Sequence, residues 1–66
     1  MVELFTNYTI SFQDGSFPEA SEFNDFRWAL NAAKGYAKLR NKDVFIKQKE
    51  KIIGTVQPNG KYLPAS

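Results

Sequence analysis

From Val2 to Phe12 the chain alternates without a break: Val2, Leu4, Thr6, Tyr8, Ile10 and Phe12 fall on one side, Glu3, Phe5, Asn7, Thr9 and Ser11 on the other. A period of two marks a strand with one buried face, so the rest of the chain must supply a cover for that face. Asp14-Gly15-Ser16 then ends the strand with residues that favour turn dihedrals.

The cover is encoded next. At roughly 100° per residue, Phe23, Phe26, Leu30, Ala33 and Ala37 share one helical stripe, with Ala29 and Tyr36 at its edge. Two starts are open. Ser16 with Glu19 resembles a capping box, and Ser21 with Glu22 and Asp25 in the first turn is the other choice, so either way the helix begins before Phe23. Its end falls near Asn41, which tolerates a left-handed cap, with Lys38, Arg40 and Lys42 at the negative end of the dipole.

Two short segments rich in Val, Ile and Phe follow, residues 43–48 and 51–56, joined at Lys49-Glu50 as a hairpin. Gln57-Pro58-Asn59-Gly60 suits a type I turn, after which Tyr62 and Leu63 return briefly before Pro64. The expectation is a single α+β domain over residues 1–66, of order β-α-β-β: strand 2–12, helix about 19–40, hairpin 43–48 and 51–56, and a turn and tail over 57–66. One helix packs on a three-stranded, mainly antiparallel sheet. Adjacent Ile52 and Ile53 place the third strand in the middle, and Lys47 and Lys49 place the second at an edge. The other order, with the first two strands parallel neighbours, would use a right-handed crossover.

A chain of 66 residues buries only about 60% of its unfolded surface, and small chains usually add a disulfide, a metal or a second subunit. This one has no Cys and no His, which leaves oligomerisation. Six Phe, three Tyr and one Trp supply the apolar bulk instead. The early acid at Glu3 and the lack of a basic start argue against a signal peptide, and no apolar run is long enough to span a membrane, so a cytoplasmic protein is expected. In that setting the Asn7-Tyr8-Thr9 glycosylation sequon is a chance match.

The same composition narrows the chemistry. Without His or Cys, the commonest general base, the strongest nucleophile and the usual transition-metal ligands are missing. Glu19, Glu22 and Asp25 crowd a helix start, where capping accounts for them, and single glycines at 15, 35, 54 and 60 form no phosphate loop. No catalytic residue, metal, cofactor or small-molecule substrate is expected; the chain acts by binding.

Two surfaces invite a partner. Trp28, Ala32, Gly35 and Leu39 recur at three-to-four-residue spacing, roughly 140–180° from the Phe26 and Leu30 stripe, and a single sheet covers only one side of a helix. Exposed Trp is a typical interface anchor, and the small residues between Trp28 and Leu39 allow close approach. The plainer alternative is that Phe17-Pro18 or Tyr62-Leu63 folds over Trp28.

The second surface is the sheet face turned from the helix. Phe5, Phe45 and Lys47, extended by Lys49 and Lys51, would stack bases and neutralise phosphates there. Charge segregation adds to this: residues 1–25 carry a net −5 and residues 26–66 a net +7. Helix electrostatics accounts for the cations on the helix, though not for Lys47, Lys49, Lys51 and Lys61.

The leading expectation is a protein-interaction module, a homodimer or the small partner of a larger protein. In size and layout it looks like the accessory or inhibitor proteins that phages and mobile elements encode. The alternative is a small nucleic-acid-binding protein using the basic and aromatic sheet face.

Overall fold

The computed structural model describes residues 7–49 and 51–65. Strand β1 (Tyr8–Phe12) is followed by a two-residue strand β2 (Glu22–Phe23), helix α1 (Phe26–Arg40), the hairpin β3 (Val44–Gln48) and β4 (Lys51–Val56), and a last strand β5 (Tyr62–Pro64). The expected strand 2–12 is described from Tyr8 onward, and residues 2–6 lie outside the described part. The sheet has five strands in the order β2-β1-β3-β4-β5, every neighbouring pair antiparallel. The α+β class stands, with five strands in place of three.

The expected helix start, about residue 19, is corrected by about two turns to Phe26. Asp25 is the N-cap: its backbone is extended and its carboxylate accepts the Arg27 amide at 2.8 Å. Glu22 and Phe23 therefore leave the helix and pair with Thr9 and Tyr8 as β2. Asp25, unlike Ser21, stands directly before the run of strong helix formers, so its cap satisfies the first free amides where the helix can propagate. The far end is as expected: Asn41 adopts the left-handed conformation at φ 56° and the Lys42 amide donates back to the Ala37 carbonyl at 3.2 Å.

That earlier turn back changes the strand order. The return run is made by the loop and β2, so α1 begins at the Tyr8 end of β1 and runs along it. Phe26 sits edge-on to Tyr8 at 5.6 Å, and Tyr36 edge-on to Phe12 at 6.4 Å. The chain must then descend again, and β3 pairs antiparallel with β1, Ile10 opposite Ile46. Both expected orders are thereby overturned: β3 is the middle strand, not an edge, and it is not parallel to β1. The adjacent Ile52 and Ile53 have another cause. Ile46 faces Gly54 while Lys47 faces Ile52, so Ile53 is the extra residue of a bulge. The edges are short strands of two and three residues, which limits unwanted pairing.

The core lies between α1 and one face of the sheet. Ala29, Ala33 and Ala37 on the helix meet Ile10, Phe12, Val44, Ile46 and Val56, all buried. Three alanines let the helix settle close on branched strand residues. At the open end of that layer Phe26 stands between Tyr8 and Tyr62, edge-on to both.

The loop after β1 is held by Asp14. Its carboxylate accepts the Ser16 hydroxyl at 2.7 Å and the Ser16 amide at 3.0 Å, and pairs with the Lys42 amine at 3.0 Å. The Ser16 hydroxyl, then its amide, then Lys42 hold the Asp14 carboxyl well below the usual carboxylate range. The folded chain thus binds this proton less readily than the unfolded one, so the stabilisation is present above the unfolded value near pH 3.9 and is lost as pH falls through the folded one. The wild type should exceed Asp14→Asn in thermal stability at pH 7, with the gap closing in acid; a gap independent of pH would reject the assignment. Asp14 is exposed, so added salt should narrow the gap as well.

Candidate functional site

The loop 13–21 and β2 run beside one flank of α1. The Ala20 amide donates to the Tyr36 hydroxyl at 3.2 Å, and Arg40 reaches Glu19 at 3.4 Å, so the loop is tied to the C-terminal half of the helix. Between loop and helix lies an open apolar groove of about 330 Å³ lined by Ala20, Phe23, Ala32, Gly35, Tyr36 and Leu39. Phe23 also borders a second, more polar depression of about 320 Å³ at the N-terminal end of the helix, shared with Asn7, Glu22, Asn24 and Trp28. The two form one bipartite surface with Phe23 as its ridge.

Of the four residues read as an interface, Ala32, Gly35 and Leu39 line the groove and Trp28 the adjoining depression. Trp28 is 66% exposed and Leu39 72%. Among the described residues, neither the Phe17-Pro18 loop nor the Tyr62-Leu63 strand covers the indole: Phe17 is itself exposed, and Tyr62 turns to Phe26. Ala32 is half-buried and packs against the core, so the exposed apolar stripe adjoins the buried one along this flank and does not oppose it.

Gly35 stands out chemically. A Cβ built there meets nothing within 4 Å, so the fold of this chain does not require a glycine at that position. In a helix interior Gly costs about 1 kcal/mol relative to Ala. Sequence reasoning missed Phe23, Ala20 and Tyr36 as parts of this surface, because Phe23 was assigned to the helix. The Asn24-Asp25 pair, both good cap residues, was the signal that would have freed it.

The residues read as a nucleic-acid surface are dispersed. Phe45 and Lys47 are half-buried on β3, on the sheet face away from the helix, where Lys47 lies between Thr9 and Ile52. Lys51 stands opposite Gln48 and so shares the other face, while Lys49 occupies the turn with φ 53°. Phe5 lies outside the described residues.

Among the described residues no three of His, Cys, Asp and Glu gather as metal ligands would, and no helix is long and apolar enough to cross a membrane. Comparison with protein-family models, curated proteins and solved structures returned no match.

Proposed function

We propose that this chain is a non-catalytic protein-interaction module whose contact face is the loop-side flank of α1. The observation that carries the reading is the exposure of Leu39 in a groove floored by small residues and walled by Phe23 and Tyr36, and of Trp28 in the depression that adjoins it across Phe23. A large indole and a leucine held in water on a rigid helix lose contact area for nothing unless a partner covers them, and aromatic anchors in shallow pockets dominate binding energy at interfaces. The rim supplies specificity. Glu22 and Asn24 border the indole end, and Lys38 stands on the helix turn that carries Leu39.

Leu39→Glu is the discriminating variant, because Leu39 contributes little to the core and its replacement leaves folding intact. Tagged wild type and Leu39→Glu would be used to capture partners from a host lysate, with and without nuclease. The expected result is a protein retained by wild type after nuclease and lost with the variant, at least tenfold in recovery. Equal recovery by both proteins would reject the flank as the contact face, and loss of all capture on nuclease treatment would favour the nucleic-acid alternative.

A further inference from the structure

We propose that Asn59 is a site of spontaneous covalent modification, losing its side-chain ammonia to give isoaspartate, and that this change releases β5 from the sheet. The chain has five asparagines, at 7, 24, 31, 41 and 59, and only Asn59 is followed by glycine. The amide nitrogen of the next residue is the nucleophile, and glycine leaves it with no Cβ to obstruct its approach. Around Gly60 the space is open: a Cβ built there meets nothing within 4 Å. Asn59 is itself exposed, so water and base reach it.

The reaction balances with water as its co-reactant. A solvent base takes the proton of the Gly60 amide, and the freed nitrogen attacks Cγ of Asn59. The new N–Cγ bond closes a succinimide ring as the Cγ–Nδ2 bond breaks, and ammonia leaves with a proton from solvent. Water then opens the ring. Attack at Cγ yields aspartate, whereas attack at the main-chain carbonyl carbon routes the backbone through Cβ and Cγ and leaves the old carbonyl as the carboxylate.

Asp14-Gly15 is the internal contrast. It too precedes an open glycine, but its carboxylate is tied to Ser16 and Lys42 and stays ionised, which makes it a poor electrophile. Asn59 carries a neutral amide. Its Oδ1 accepts the Lys61 amide at 2.9 Å, and the Gly60 amide donates to the Gln57 carbonyl at 2.8 Å. That second bond must open before the nitrogen is free, so the turn gates the reaction without forbidding it.

Isoaspartate adds a methylene to the main chain inside a tight turn. The same turn carries the bond from the Gln57 amide to the Lys61 carbonyl at 2.9 Å, directly before β5, and neither bond keeps its geometry in a longer chain. β5 then loses register with β4, and Tyr62 is drawn off Gly54 and Phe26. β5 is the sheet edge opposite β2, away from the Trp28 flank, so this outcome is independent of the interaction reading.

Folded full-length chain held in mildly alkaline buffer and sampled over days tests the proposal, by cation exchange, isoaspartate methyltransferase labelling and tryptic mapping. Label should gather in the fragment 52–61, with one unit lost from the net charge of +2 and the asparagines at 7, 24, 31 and 41 intact. Chain unfolded in urea should convert about tenfold faster, the effect of freeing a turn hydrogen bond. The purified isoaspartyl form should melt about 4–8 °C below wild type, the scale of shift for lost contacts in a domain of this size. Asn59→Asp, with the same charge and an unaltered backbone, should melt with wild type.

Conversion first at another asparagine overturns the site, as does an intact Asn59 in folded chain whose urea-unfolded counterpart has converted fully. Equal rates in the two states overturn the gate. An isoaspartyl chain as stable as Asn59→Asp overturns the release of β5.

Discussion

Ile46→Ala should lose about 2–5 kcal/mol, a large share of the chain's stability, while Ile46→Val should stay folded with a slightly lowered melting temperature. Ile46 is fully buried on the middle strand β3, opposite Ile10 on β1 and Gly54 on β4, in the same cluster as Ala29, Ala33 and Ala37 of the helix. Removing a buried isoleucine down to Ala costs about 2–5 kcal/mol, and down to Val about 0.5–1.5. A chain this short has about 3–10 kcal/mol of stability in all, by the usual per-residue range. Little bulk is at hand to refill the hole: Gly54 opposite has no side chain, and the fully buried residues of the helix are all alanines. Urea titration followed by circular dichroism, at one fixed protein concentration, measures both. An Ile46→Ala midpoint within a few tenths molar of wild type would place the core elsewhere.

The buried cluster itself was largely legible in the sequence. Alternation assigned Tyr8, Ile10 and Phe12 to one face of β1, and the helical period found Phe26, Leu30, Ala33 and Ala37, because both patterns report burial and burial is what the fold requires. Val44 and Ile46 followed from the same rule. The strand order was not legible, and one residue explains why. Whether the chain reverses through the helix or before it depends on where the first free amides find a cap, and Ser16, Ser21 and Asp25 all qualify by type. Asp25 alone stands directly before the helix-forming run, which is a weak local signal, and the pairing of Glu22 and Phe23 with β1, a long-range contact, decides between them. Once the helix is shortened to Phe26–Arg40, the antiparallel order follows.

The candidate site shows the same division. Trp28 and Leu39 stood out because their spacing belongs to a helix whose one sheet lies on another side, an argument from periodicity alone. The walls of the groove did not, since Phe23 and Ala20 reach Ala32 and Tyr36 from another element. The basic and aromatic residues of β3 and β4 illustrate a limit of composition: Lys47 and Lys51 are near in sequence, but pairing across a bulged hairpin sends them to opposite faces. Charge clustered along a chain becomes a surface only if parity allows.

Gly54→Ala should be the most costly exchange for so small a change, about 2–3 kcal/mol, because the added methyl would lie in the ring of Tyr62. Tyr62 is fixed from three sides. Its ring covers Gly54, its edge-to-face partner Phe26 lies at 5.7 Å, and its hydroxyl donates to the Ile53 carbonyl at 3.2 Å. Displacing it forfeits an aromatic pair and a hydrogen bond, each worth about 0.5–1.5 kcal/mol. A double-mutant cycle isolates the cause. In a Tyr62→Ala background the space beside position 54 is open, and Gly54→Ala should become neutral or mildly stabilising, since alanine suits a strand better than glycine. The two exchanges should therefore couple by more than about 1 kcal/mol in urea-unfolding free energies. Strict additivity would mean that the ring does not rest on Gly54, and that β5 is held to the sheet by its backbone pairing alone.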